Sequence, residues 1–320
     1  MNKTALIIGA SGQDGSFLTL FLLKKGYNVI CSSRDADSNL FINHKILGIE
    51  GNVIYVTLNI NEMSNVLNVI VKYKPDEIYN LAAQSSVGLS FEKPIETVQS
   101  IICGTLNILE AIKFSKLKTK FYSAGSSEAF GNHDKVPINE KTIKLPVSPY
   151  GISKASAYDF VQTYRNSYSI FACTGVLFNH ESHLRGHKFV TKKIIESAVK
   201  ISKGLEETLT LGNLDVHRDW GWAPEYVEAM WLMLQIDTPQ DFIIATGKTH
   251  SLEDFVSYAF KYLGLDHKKH ISTKKSFYRP LDIKINLADP TKANQMLGWK
   301  AKVNFYSLIE KLVDKELKKF

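Results

Sequence analysis

The chain has 320 residues, a mass of 36.0 kDa, 44% hydrophobic and 22% charged residues, and a formal net charge of +7. That length suits about two domains, and the composition is that of an ordinary globular protein. No apolar run reaches the ~20 residues a membrane span needs, and the lysines are scattered without basic blocks or glycine-arginine repeats, so neither a membrane nor nucleic acid is an expected partner. Cys31, Cys103 and Cys173 are odd in number and lack zinc-ligand or disulfide-framework spacing. Three buried free thiols, no metal site and a reducing, cytoplasmic setting are the expectation.

The first predicted strand, Thr4–Ile8, runs directly into "GASGQDG", where Gly9, Gly12 and Gly15 stand three apart at the start of a helix over 15–25. Gly9, Gly12, Gln13 and Asp14 break the N-terminal apolar stretch at once, so it makes a poor signal peptide. After a strand and before a helix, this spacing reads as a dinucleotide fingerprint. The first glycine serves a tight turn, the second lets the backbone approach a pyrophosphate, and the third packs helix on strand. The helix N-terminus adds free N–H groups and a positive dipole end. The plainer alternative is a structural βα turn. A second strand, 29–32, ends in "CSSRD". Ser33 and Arg34 offer donors to a 2′-phosphate, whereas Asp35 would repel one if it pointed inward; the balance points to NADP.

Strands at 53–57, 77–81, 120–124 and 171–177 follow, with helices at Met63–Tyr73 and 97–114 between them. The alternation implies right-handed βαβ units and a parallel sheet. The fifth strand runs into "FYSAGSSEAFG" at the sheet end where such folds bind ligands. If the chain stays extended, Ser126 and Glu128 point the same way and Ser127 points away. Apolar surroundings would raise the Glu128 pKa and suit it to proton transfer. The plainer alternative is an exposed loop carboxylate. Of 14 tyrosines, only Tyr150 is followed four residues later by lysine, in "SPYGISK". On a helix Tyr150 and Lys154 share a face, and the ammonium would lower the tyrosine pKa toward that of a base for an alcohol.

Beyond about residue 178 helical patterns dominate, at 191–203, 224–234, 252–263 and 306–319. Ser251 with Asp254 reads as an N-cap and Gly264 as a stop. The expected fold is α/β: a Rossmann-type doubly wound parallel sheet with a smaller, mainly helical C-terminal substrate domain. The boundaries are 1–178 and 179–320, with part of 215–247 returning to the first domain and a cleft between the two.

The motifs together resemble the GDP-mannose 4,6-dehydratase family of extended short-chain dehydrogenases/reductases. "GASGQDGSFL", "KPDEIYNLAAQSSV", "SPYGISK", "GVLFNHES", "KFVTKKI", "LGNLDVHRDWG", "DFIIATG" and "DPTKANQMLGW" carry the resemblance along nearly the whole chain. It implies catalytic roles for Ser126, Glu128, Tyr150 and Lys154, with Ser126 where the family has threonine. It implies NADP contacts from Gly9, Ser11, Gly12, Gln13, Asp14, Gly15, Arg34, Asn59, Ile60, Leu81, Ala82, Ala83, Gln84, Tyr150, Lys154, Leu177, His180 and Arg185. It implies GDP-sugar contacts from Ser85, Ser126, Glu128, Asn179, Lys193, Leu211, Gly212, Arg218 and Arg279. The plainer alternative for the two arginines is surface pairing, Arg218 with Asp219 and Arg279 with Asp282.

The implied reaction oxidises C4 of GDP-mannose, removes water across C5 and C6 through Glu128, and returns hydride to C6. A homodimer or homotetramer is implied as well. Four departures stand out: Arg34 alone where the family pairs arginines, Ser86 where histidine is common, and His183 and Leu184 where it has proline and arginine. The alternatives are a GDP-4-keto-6-deoxymannose reductase, a dehydratase of a related GDP-sugar such as a heptose, and a non-catalytic dinucleotide-sensing regulator.

Overall fold

The computed structural model describes residues 2–37, 41–133 and 137–320. Seven strands form one parallel sheet: β1 (Thr4–Ile8), β2 (Asn28–Ser33), β3 (Ile54–Thr57), β4 (Glu77–Asn80), β5 (Lys120–Ser126), β6 (Ala172–Leu177) and β7 (Phe242–Ile244). Their spatial order is β7-β6-β5-β4-β1-β2-β3. Apolar runs with both faces covered belong in such a sheet, and Leu6, Ile7 and Ile8 are at most 1% exposed. Alternate residues of β1 enter different cores. Leu6 and Ile8 pack with Val66, Ile70, Ile108 and Ile112, whereas Ala5 and Ile7 pack with Leu18, Leu22, Val227 and Met230. Ile8 stands opposite both Ser32 and Asn80, so β1, β2 and β4 release the chain at one rim. The strand order reverses there, which is where doubly wound sheets bind ligands.

Helices α1 (Gln13–Lys24), α2 (Met63–Tyr73), α3 (Gly104–Ser115) and α4 (Pro149–Tyr168) flank the sheet. After β6 come α5 (Val190–Ser202), α6 (Ala223–Met233), α7 (Leu252–Tyr262) and α8 (Phe305–Leu317). Helix α6 packs in the same core as α1, and β7 pairs with β6, so residues 223–244 join the first sheet. Helices α5, α7 and α8 enclose a separate core built on Ile195, Val199, Phe255, Leu308 and Val313, with Trp220 and Phe305 stacked inside it. Ser251 and Asp254 form a reciprocal capping box at the start of α7, as the sequence predicts.

Several features differ from the sequence expectations. Helix α4 is not signalled by apolar periodicity, because its buried face is made largely of small residues such as Gly151, Ser153, Ala155 and Ala157. The helical stretch Pro94–Ser115 spans 22 residues and is long and apolar enough, by composition, to cross a membrane. Ile101, Ile108, Leu109 and Ile112 instead turn into the core. A π-turn at Gln99–Cys103 interrupts it and leaves Cys103 exposed, so only Cys31 and Cys173 are buried thiols. Three two-stranded ladders join segments of the C-terminal half, pairing Asn179–Glu181 with Trp220–Trp222, His217–Arg218 with His250–Ser251, and Leu209–Leu211 with Ile271–Thr273. Strands of two or three residues are too short to show a period.

Candidate active site

The β1–α1 turn separates the jobs of the three glycines. Gly9 has φ +87, and a Cβ there would lie 2.8 Å from the Ala82 nitrogen. A Cβ on Gly15 would lie 2.4 Å from the Gly9 carbonyl oxygen. The protein's own packing therefore demands glycine at both places. A Cβ on Gly12 would meet nothing nearer than the Gly9 oxygen at 3.5 Å. Gly12 caps α1 with no side chain bonded to the first-turn N–H groups, which leaves donors of the kind a pyrophosphate accepts from.

Behind this turn, α1 is locked to the chain after β6. Both ends of the Gln13 amide are engaged, donating to the His180 carbonyl at 3.2 Å and accepting from Ser182 Oγ at 2.8 Å. The Gln13 and His180 side chains thus bind each other's segments, a structural task that the sequence does not reveal. His180 Nε2 lies 2.8 Å from Asp14 Oδ2 and Nδ1 lies 2.7 Å from the Phe178 carbonyl. Both partners are acceptors, so both ring nitrogens donate and the imidazole is a cation. Burial pulls its pKa down, but the Asp14 charge and hydrogen bond outweigh burial and hold it above 6.5. Asp14 is correspondingly held below 3.8, against its own burial.

At the rim, Arg34 is exposed just after β2. The loop after β4 brings Leu81 and Ala82 beside Gly9 and Ala83 against Tyr150 and Ala157 of α4, with Gln84 and Ser85 following in the same loop. The Gln84 amide is spent on the Ser86 backbone and Thr97 Oγ1, and its own N–H meets Ser100 Oγ at 3.4 Å. Ser86 caps the short helix Val87–Glu92 by accepting from the Leu89 N–H, a task that suits serine better than histidine. After β3, Asn59 bonds Glu62 and Ile60 is buried against Gly104. Ser11 accepts from Asn43 through its carbonyl. Leu177, at the end of β6, is buried, and so is Leu184, which packs in the α1 core. His183 meets the edge of Phe17.

Catalytic candidates gather at the end of β5. The strand ends at Ser126, whose Oγ accepts the Glu128 N–H at 3.3 Å and caps a 3-10 turn over Ser127–Ala129. The chain therefore does not stay extended through Glu128, and turn geometry presents Ser126 and Glu128 instead of strand alternation. Tyr150 is buried beside Ser126, whose side chain favours its phenolate. Lys154 Nζ donates to the Ala124 carbonyl at 2.6 Å and lies 5.8 Å from the Tyr150 ring centroid. Burial pushes the phenol up to about 12, opposed by the Ser126 side chain and the Arg185 charge. Burial pulls Lys154 down to about 8. The expected fall of the Tyr150 pKa under Lys154 is thus reversed, and Arg185 is the cation that favours the phenolate.

Glu128 is raised, as the sequence suggests. Burial is the largest cause and Asp282 adds to it, while Arg218 and Arg279 oppose both. Arg218 is 6% exposed and donates to Asp282 Oδ1 at 2.7 Å and to the Ile283 carbonyl at 2.7 Å. Arg279 donates to the same Asp282 oxygen at 3.1 Å. Asp219 takes no part in this, because it accepts from the backbone of Thr246, Gly247 and Lys248. The two arginines therefore converge on one carboxylate, 64 residues from Arg218 in sequence. Nearby, Lys193 donates to the Thr210 carbonyl and lies 5.2 Å from the Phe277 ring. Leu211 is buried, and Gly212 has no room for a Cβ against the Phe277 carbonyl. Asn179 begins the ladder with Trp220. The Arg279–Asp282 pair is the one the plainer alternative gives, whereas the second claim on Asp282, by Arg218, and the place of Phe277 are revealed by no spacing rule.

A family model described as GDP-mannose 4,6 dehydratase matches residues 6–312. The chain belongs to this family. It is 42% identical to GDP-mannose 4,6 dehydratase 1 of Arabidopsis thaliana, covering 98% of this chain and 90% of that protein. It is 39% identical to GDP-mannose 4,6-dehydratase of Vibrio cholerae, covering 99% and 95%. Among solved structures, UDP-glucose 4-epimerase of Thermotoga maritima with UDP-glucose superposes with a TM-score of 0.86 at 24% identity, covering 99% of both chains. dTDP-glucose 4,6-dehydratase of Bacillus anthracis in complex with NAD superposes at 0.85 and 20% identity, covering 99% of this chain and 97% of that one. RMD from Pseudomonas aeruginosa complexed with NADPH gives 0.84 at 18%, covering 100% of both. These structural likenesses establish the Rossmann-type fold.

The site fits the nicotinamide dinucleotide that the fold implies. Among the described residues no atom requires glycine at Gly12, and it stands beside helix N–H groups that no described side chain caps. Replacing Gly15 by alanine should cost roughly 1–3 kcal/mol of stability through overpacking. Gly12→Ala should cost about 1 kcal/mol or less, the size of a lost N-cap preference, yet weaken dinucleotide binding at least tenfold. Thermal melts and calorimetric titration with NADP check both. Equal dinucleotide affinity in Gly12→Ala and wild type would return the turn to a purely structural role.

The Asp14–His180 pair makes a pH prediction. A histidine held above 6.5 contributes stability that is full below pH 6.5 and lost as pH rises through the folded value. An aspartate held below 3.8 contributes above pH 3.8 and loses its share as pH falls through the folded value. The melting-temperature difference between wild type and His180→Gln should therefore be largest between about pH 4 and 6.5, and should shrink toward pH 9. Melts across that range check it.

Proposed function

We propose that this chain converts GDP-mannose to GDP-4-keto-6-deoxymannose with loss of water, and that NADP is its cofactor. The observation that carries the reading is the convergence of Tyr150, Ser126 and Glu128 at the end of β5, under the electrostatic reach of two arginines that share Asp282. Membership of the dehydratase family supplies the reaction class. Ser33 and Arg34 at the end of β2 support a 2′-phosphate and hence NADP. The nicotinamide, when bound, supplies a hydride acceptor and donor and, in its oxidised form, a positive charge.

Tyr150 accepts the C4 hydroxyl proton, with Ser126 as the hydroxyl that holds the phenol in place. A phenol near 12 is protonated at neutral pH, so Tyr150 takes the C4 proton only as the phenolate, a form that the Arg185 charge favours and that the positive charge of the oxidised nicotinamide would favour further. Once C4 is a ketone, the C5 hydrogen is acidic. Glu128, raised by burial yet near two arginines, takes that proton and then delivers it to the departing C6 hydroxyl as water, and return of the hydride to C6 with a proton to C5 gives the saturated 6-deoxy product. Arg218 and Arg279 hold the diphosphate through charge-assisted bonds. Lys193, Asn179, Ser85, Leu211 and Gly212 complete the GDP-sugar side. A homodimer or homotetramer belongs to the same proposal and is supported by exposed Ile95, Val98 and Ile152 on neighbouring helices. So does a cytoplasmic setting, which the free thiols support.

In Glu128→Gln the amide keeps the volume and cannot carry the proton. Dehydration should fall by about 10²–10⁴ while C4 oxidation persists, read as NADPH absorbance appearing without 4-keto-6-deoxy product. Wild-type product formation by this variant would remove Glu128 from the mechanism.

A further inference from the structure

Residues 282–289 form a strap between the arginine cluster and the catalytic turn. At one end is Asp282, the carboxylate shared by Arg218 and Arg279. Along one side, the strap exchanges backbone hydrogen bonds with His217, the neighbour of Arg218, through Lys284 and Asn286. Along the other, Asn132 reaches it twice, donating to the Asp282 carbonyl at 3.1 Å and accepting from the Lys284 N–H at 2.9 Å. In the middle, Asn286 Nδ2 donates to Ser127 Oγ at 2.8 Å. Ser127 lies between Ser126 and Glu128 in the 3-10 turn. Asn286 is 1% exposed and Ser127 is 3% exposed, so water does not compete for this bond.

Asn286 is an odd occupant of such a place. Its Oδ1 is buried with no partner among the described residues. A buried acceptor left unpaired is a cost that an apolar side chain would avoid. Stability alone therefore does not account for an amide here, whereas a fixed donor under the turn does. Ser126 Oγ already caps this turn from above through the Glu128 N–H, and Asn286 ties it from below.

We propose that Asn286 is a positioning residue: through Ser127 it sets the turn that presents Ser126 and Glu128, and so registers that turn to the strap carrying Asp282. This rests on the dehydratase reading for its kinetic consequence, but the geometry it predicts is readable without substrate. Glu128 is faced by Arg218, Arg279 and Asp282 as well as by the turn. A loosened turn admits water and removes the burial that raises the carboxyl.

The test compares Asn286→Leu, Ser127→Ala and the double variant with wild type, each carrying its bound dinucleotide. Ser127→Ala is the smaller change and stands in if the leucine variant does not fold. Expected with GDP-mannose is a fall in kcat of about tenfold or more for each single variant, with KM within about twofold. The double variant should be no worse than the worse single, because one bond is removed either way. Expected without substrate is a carboxyl NMR titration of Glu128 that moves down toward that of an ordinary glutamate. Unchanged kcat together with an unchanged Glu128 titration would overturn the proposal. So would losses that simply track a lowered melting temperature, or that add in the double variant. If wild type does not turn over GDP-mannose, the dehydratase reading fails by itself. The Glu128 titration then still decides whether Asn286 positions the turn.

Discussion

A buried imidazolium–carboxylate contact, His180 to Asp14, joins the nucleotide end of the sheet to the chain that leads into the substrate half. Gln13 and Ser182 brace it on one side, and the Tyr226 ring stacks on His180 at 4.6 Å on the other. Because Asp14 lies in the first turn of α1, one contact fixes the helix end with the uncapped N–H groups and also the start of the Asn179–Glu181 strand. That strand pairs with Trp220–Trp222 and so aims the preceding Arg218. The two halves of the site are registered to each other through this chain of contacts.

At the far end of that chain the electrostatics are set by competition. Arg218 is nearly buried, and burial lowers its basicity while Asp282 and Glu128 work to keep it charged. Glu128 feels the opposite balance, with burial ahead of the two arginines. A substrate diphosphate would compete with Asp282 for the same guanidinium donors, and the charge felt by Glu128 would change with that exchange. In the proposed reaction, anchoring and acid–base chemistry would share one set of charges.

Much of this was legible wherever a local rule governs. The strand–glycine–helix opening, the alternation that makes a parallel sheet, and the Ser251–Asp254 capping box all depend on neighbours in sequence. Helix α4 was not legible, because its buried face is small rather than apolar. The turn at Ser127 was not legible either, since a serine that ends a strand by capping looks the same as one that continues it. The plainer alternative in the sequence pairs Arg218 with its neighbour Asp219, but the backbone of residues 246–248 claims that carboxylate and Asp282 receives the arginine. The Tyr150 shift was misread because a one-turn spacing to lysine is visible in sequence while the burial that overrides it is tertiary. The family resemblance points to Gln13 as a cofactor contact and cannot tell that its side chain is spent within the protein.

In the proposed reaction this one site oxidises and reduces the same sugar, so that water is lost with no net redox change. The direct measurement incubates purified protein with excess GDP-mannose and NADP at no more than the protein's own molar amount, and follows the nucleotide sugar by mass spectrometry and NMR. The account predicts many turnovers per nicotinamide, each giving GDP-4-keto-6-deoxymannose with loss of one water and no accumulated NADPH. Conversion that stops when the nicotinamide is used up, or no conversion at all, would contradict it.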